Sequence, residues 1–171
     1  GQLSQLLDCK LIGNYKVEFS AQNVSGVYGN TVIGNFAVIN TSNNPPVISD
    51  LILPDSLRRP SGIGADTINI GFMQVHAFDP EGICNIDLVS YNSFRPSGFQ
   101  NGFDVSLFDD GNILAHGDTV ANDGKFSLLI KITPSPADSL IGYFRFDFTA
   151  KDRGNPSLVS NTLIDSINVY R

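Results

Sequence analysis

With 17 acidic against 11 basic side chains in 171 residues, a formal charge of −6 and no Lys/Arg cluster beyond Arg58 and Arg59, the chain argues against binding nucleic acid through its phosphates. Apolar residues make up 42%, but no run approaches the roughly 20 residues of a membrane-spanning helix, so no membrane span is expected. No basic stretch followed by an apolar core marks a signal peptide at Gly1, and a processed chain would look the same.

In chain order, Gly1 to Leu7 predicts the tail of a strand and Asp8 to Lys10 a polar turn. Tyr15, Val17, Phe19 and Ala21 then alternate with Lys16, Glu18 and Ser20, the period of a strand with one buried and one wet face. A polar turn leads into a second alternating strand, Asn30 to Ile39, and the two predict a hairpin. Asn40 to Ile48 is a linker that Pro45 and Pro46 hold extended. Val47 to Pro54 predicts a strand, and Pro54 to Asp66 a turn-rich crossing. Thr67 to Phe78 predicts a strand whose apolar phase switches between Phe72 and Met73, which implies a bulge near Gly71. Further strands are expected from about Ile83 to Tyr91, after the loop Phe94 to Phe103 at Val105 to Phe108, and at Phe126 to Ile132. Between Phe108 and Lys125, Asp109, Asp110, Asn112, Asp118 and Asp123 offer either tight hairpin turns or a metal loop; no EF-hand spacing fits, which favours turns, with Ile113 and Leu114 tucked beneath them.

The last two strands repeat the first two. Phe144, Phe146, Phe148 and Ala150 take the places of Tyr15, Val17, Phe19 and Ala21, and "NTLIDSINVY" from Asn161 realigns with "NTVIGNFAVI" from Asn30 after a turn two residues longer. Self-similarity over this length implies tandem domains. Residues 45–171 hold about seven short antiparallel strands without helical periodicity, which predicts a complete immunoglobulin-like β-sandwich. Residues 1–44 supply only the closing strands of another repeat and a linker. About 45 residues rarely bury enough surface to fold alone, so missing strands are expected from upstream or from another chain.

Three segments carry a family resemblance. "AKDRGNPSL", Ala150 to Leu158, resembles the A-x-D-x-G-x-P-x-L signature of cadherin repeats; "VHAFDPEG", Val75 to Gly82, resembles their A-x-D-x-[DE] turn; and "LDCKLIGNY" keeps the spacing of their L-D-R-E segment. Asn43 and Asn44 stand where a cadherin linker is acidic, and Lys10 where a ligand Glu would be. The domain also resembles the tandem Ig-like or cadherin-like repeats of secreted bacterial surface proteins. That resemblance implies an extracellular or cell-surface module, with copies of itself or neighbouring repeats as partners. In such a sandwich Asp79, Glu81 and Asp152 meet Asp8 at the joint between repeats, an oxygen-rich set suited to calcium. The same segments are also ordinary turn formers, in which Asp bonds the backbone two residues on.

The same topology brings Cys9 and Cys84 to the joint, where they either staple the repeats through a disulfide or stay apart as a surface thiol and a buried side chain. Tyr91, Phe94, Phe99 and Phe103 either form a binding surface for sugar or protein or cap their own core. Two histidines, His76 and His116, make no metal-spaced pair, and no G-x-S-x-G elbow places a nucleophile. The expectation is a non-catalytic structural or adhesive repeat, as in a filament or surface-layer subunit whose incomplete first repeat a neighbouring chain completes; the alternative is an accessory or spacer module of a longer secreted enzyme or adhesin.

Overall fold

The computed structural model describes residues 13–39, 42–60, 69–135, 137 and 140–171. By internal contacts the chain divides into two units, Gly1–Asn43 and Asn44–Arg171. In the first, β1 (Gly13–Phe19) and β2 (Val32–Val38) form an antiparallel hairpin. Period-two alternation sorts its faces. Tyr15, Val17 and Phe19 share one side with Phe36, Gly34 and Val32, their register partners, and Tyr15 stacks on Phe36 with ring centroids 5.4 Å apart.

The second unit contains β3 (Val47–Ile52), β4 (Ser56–Arg58), β5 (Asn69–Phe78), β6 (Ile86–Phe94), β7 (Gln100–Ser106), β8 (Lys125–Ile132), β9 (Gly142–Asp152) and β10 (Leu163–Tyr170). They lie in two sheets, one ordered β4-β10-β9-β6-β7 and one ordered β3-β5-β8. Alternate residues of both sheets meet in one apolar core: Ile48, Met73, Val75 and Ala77 from the smaller sheet, and Leu57, Val89, Tyr91, Phe144, Phe146, Phe148, Ile167 and Val169 from the larger. The unit is an all-β sandwich. Among the described residues no helix is long and apolar enough to cross a membrane.

Several expected elements differ. β4 lies within the stretch read as a turn-rich crossing; three residues are too few to show a period, and the strand is defined by its parallel pairing with Asn168 to Tyr170. A 3-10 turn at Ile83–Asn85 precedes β6, which continues to Phe94, so the expected ten-residue loop contracts to the turn joining β6 to β7. There is no bulge at Gly71: β5 pairs with β8 in unbroken register from Asn69 to His76. Both faces of β5 are apolar, and that doubled pattern imitates a phase switch. Gly71 answers to packing, because a Cβ there would lie 2.7 Å from Leu57 Cδ1 and 3.0 Å from Ile130 Cγ1. The irregular register falls instead in β3, between Ser49 and Ile52, where Asp50 has φ 50°.

Two long-range ties close the sandwich. Asn161 bonds both backbone groups of Ile48, accepting from its N–H at 3.0 Å and donating to its carbonyl at 3.0 Å, and so fixes β3 to the start of β10. Buried Arg59 donates from Nη1 to Thr133 O at 2.7 Å and from Nη2 to Leu140 O at 3.1 Å. Burial, and next the charge of Arg171, hold its pKa below the usual guanidinium value. Replacing Arg59 with Met is expected to remove about 2–3 kcal/mol of stability, because charge-assisted bonds to two carbonyls are lost. Arg59→Lys recovers only part, since one ammonium lacks the guanidinium's fork. Urea midpoints of the three proteins give the comparison.

Candidate functional site

The turn after β5 is built on Asp79. Its carboxylate is buried and its Oδ1 accepts the N–H of Glu81 at 2.8 Å, while Asn85 Nδ2 lies 3.2 Å from both oxygens. Burial is the main cause that raises the Asp79 pKa, and the neighbouring Glu81 carboxylate adds to it. For Glu81, burial also acts upward, but hydrogen bonds from Asn44 outweigh it and the pKa is lowered. Asn44 Nδ2 donates to Glu81 Oε1 at 2.6 Å, and the Asn44 N–H to Oε2 at 3.3 Å.

Asp152, at the end of β9, organises the following turn. Its Oδ1 accepts the N–H groups of Gly154 and Leu158 at 3.0 and 2.7 Å, and the Asn155–Pro156 bond within that turn is cis. Its Oδ2 is buried without a hydrogen-bond partner. The register places Asp152 opposite Ile86, and Arg153 N–H donates to Asn85 O at 2.7 Å, so the two turns share one end of the sandwich through Asn85. Asp8, the fourth expected ligand, lies outside the described residues.

Only Asp109, Asp118 and Asp123, among the described residues, bring three ligand atoms of this kind within 4.8 Å of one another; Asp79, Glu81 and Asp152 are spread more widely. That tighter trio holds the loop between β7 and β8. Buried Asp118 accepts from Gly111 N–H at 2.5 Å and Val120 N–H at 3.3 Å, while Asp109 accepts from Asp123 and Gly124 N–H at 3.2 and 2.9 Å. His116 adds a 2.9 Å contact to Asp110 and stacks on Phe108 at 3.9 Å. Leu114 does not tuck beneath the turns. It is 90% exposed, and Ile113 is exposed too; the loop meets the sheet at Gly117 instead, where a Cβ would lie 2.8 Å from Phe72 Cδ2.

The loop has a pH signature. Burial, as the largest cause, raises the Asp109 pKa, so the folded state keeps this proton to a higher pH than the unfolded chain. Ionisation above that raised value therefore opposes folding. Stability should rise as pH falls through it and stop rising near the ordinary value of about 3.9. Asp110 and Asp123 act in the opposite sense. Their pKa values are lowered mainly by the N–H groups of Asn112 and Lys125, and the stability they contribute is lost as pH falls through those depressed values. The expected melting curve has its maximum on the acid side of neutrality, and Asp109→Asn flattens the limb between the maximum and pH 7.

The four aromatic candidates occupy different places. Tyr91 is buried in the core, 5.3 Å from Phe146 and near edge-on; Phe94 lies under the Arg145 guanidinium at 4.2 Å; Arg95 sits 5.6 Å over exposed Phe99; and Phe103 is 74% exposed. Cys84 lies in the 3-10 turn before β6, and no described cysteine is free. Cys9 lies outside the described residues.

The hairpin of the first unit shows what the second unit's core covers. Phe19 pairs with Val32, Val17 with Gly34 and Tyr15 with Phe36, while Phe148 pairs with Leu163, Phe146 with Asp165 and Phe144 with Ile167. Those are the partners the sequence alignment equates. The match continues into the turns: bridge Gln22–Tyr28 corresponds to Lys151–Val159, and the bond from Gly29 N–H to Ala21 O to that from Ser160 N–H to Ala150 O. Burial is opposite. Phe148 is 0% exposed and Phe19 62%; Ile167 is 1% exposed and Phe36 52%. Asn30, in the place of Asn161, is exposed. No family model, curated protein or solved structure matches the chain.

Proposed function

We propose that the chain is a non-catalytic structural or adhesive module of the extracellular space or cell surface, built from tandem immunoglobulin-like or cadherin-like repeats. In that frame β3 and β4 stand for strands A and A′, β5 to β7 for B, C and C′, and β8 to β10 for E, F and G. The hairpin β1–β2 is then the F–G pair of a further repeat, completed by strands of a neighbouring chain. The observation that carries this reading is the identical register of the two hairpins with opposite burial of their apolar faces.

Calcium fits the end of the sandwich that holds Asp79, Glu81 and Asp152. The buried, unpartnered Asp152 Oδ2 supports it, since a hard cation takes carboxylate oxygens that lack donors. A Cys9–Cys84 bridge belongs to the same reading and to an oxidising compartment; intact mass after alkylation without reduction should show no added label. Light scattering of the 171-residue chain, first with calcium and then with chelator, is the deciding test. A mass above the monomer supports completion by a neighbour, and its collapse on chelation supports calcium. A monomer indifferent to calcium overturns both.

Exposed Phe99, under Arg95, and exposed Phe103 favour a second reading, an accessory module of a longer secreted enzyme or adhesin that binds sugar or protein through these rings. Glycan-array binding that Phe103→Ala abolishes would support it.

A further inference from the structure

β8 ends the β3-β5-β8 sheet, and among the described residues only part of its outer edge is paired. On that side Ser127 exchanges both backbone hydrogen bonds with Phe108, at 2.8 and 2.9 Å. Backbone groups in an antiparallel ladder point alternately to the two sides, and β8 pairs with β5 without a register shift. Leu129 and Lys131 therefore direct their N–H and C=O groups outward with Ser127. Among the described residues no strand receives them.

Beneath this edge the two sheets separate around a cavity of about 590 Å³, lined on one side by Leu128, Ile130, Tyr91 and Phe146 and on the other by polar groups that include Arg59 and His116. Met73, in the neighbouring strand, is fully buried, whereas Leu128 and Ile130 are only half-buried. An open edge above a cavity with an apolar side is a place for an added strand. Main-chain bonds would attach it and its alternate side chains would fill the space.

The chain carries an element of the complementary kind. β2 has no strand on its outer edge among the described residues, and the hairpin exposes Phe19, Val32 and Phe36 on one face. We propose that β2 of one copy docks along the Leu129–Lys131 edge of a second copy, extending the β3-β5-β8 sheet and turning Phe36 and its neighbours toward the cavity. This rests on the reading that a neighbour completes the hairpin, and it names the neighbour's surface. Donor and acceptor are different patches, so the contact is heterologous and assembly proceeds head to tail.

Sedimentation velocity of the full chain over a concentration series tests it. The wild-type chain should gain mass with concentration. Leu129→Pro removes an outward N–H without touching the β5 pairing, which an edge strand tolerates, and Phe36→Lys spoils the donor face. Each should weaken association about tenfold or more. Mixed in equal amounts, the two variants should form a dimer that grows no further, since one keeps a working hairpin and the other a working edge. Lys131→Pro repeats the edge test from an exposed position should Leu129→Pro disturb folding. If edge variants assemble like wild type while Phe36→Lys does not, or if no mixed dimer forms, the β8 site is overturned and completion of the hairpin by a neighbour stands. A wild-type chain that is monomeric throughout overturns both.

Discussion

Truncating Phe148 to alanine should lower the stability of the second unit by about 3–5 kcal/mol, whereas the same change at Phe19 should cost no more than about 0.5 kcal/mol in dilute solution. The residues are equivalent by register, each facing the start of the second strand of its hairpin. Only their surroundings differ: Phe148 is enclosed by both sheets, 5.6 Å from the Tyr91 ring, and Phe19 has solvent over its face. A domain of this size has about 5–15 kcal/mol in hand, so Phe148→Ala takes a large share and leaves a cavity that the packed rings cannot collapse. Urea unfolding followed by tyrosine fluorescence, in a chain without tryptophan, reads both values. The prediction changes with concentration. Where a neighbour covers the hairpin, Phe19→Ala should weaken assembly although it is silent on the monomer, and equal large losses at both positions in dilute solution would show that the first hairpin is already covered.

Asp152 gives the second large effect. Asp152→Ala strips the acceptor from Gly154 and Leu158 N–H and should cost about 2–4 kcal/mol. Asp152→Asn keeps that Oδ1 acceptor, and its amide replaces the oxygen that has no donor. It should stay within about 1 kcal/mol of wild type in the absence of calcium. The two roles of the carboxylate then separate. If Asp152 also holds a cation, Asn removes the calcium-dependent rise in Tm while leaving the metal-free Tm nearly unchanged. A rise that survives in the Asn variant would leave Asp152 as a turn former alone.

Part of this architecture could be read before any coordinates. Alternation at Tyr15 to Ala21 and Phe144 to Ala150 predicts strands because a sheet's faces alternate strictly, and the shared spacing predicts two hairpins of one register. Asp79 and Asp152 stand out because a carboxylate beside Pro and Gly makes a turn through its own backbone. Arg59 and Asn161 gave no such signal. Each acts on partners far along the chain, Thr133 and Leu140 for one and Ile48 for the other, and no local pattern encodes a bond between segments 74 to 113 residues apart. Gly71 misled for the same reason, its glycine answering to Ile130 in the neighbouring strand and to Leu57 across the core rather than to its own strand.

The local layer was therefore legible in the residues themselves: short amphipathic strands, their turns and the repeat of one hairpin. These follow from side-chain period and backbone preference, which act between near neighbours. Three things were settled only by the tertiary structure: that Phe148 is enclosed while Phe19 is exposed, that Asp109, Asp118 and Asp123 converge on one loop, and that part of the β8 edge meets no described strand. Burial and convergence depend on which distant strands lie alongside, and equivalent residues in equivalent hairpins differ because one hairpin has those strands around it and, among the described residues, the other does not.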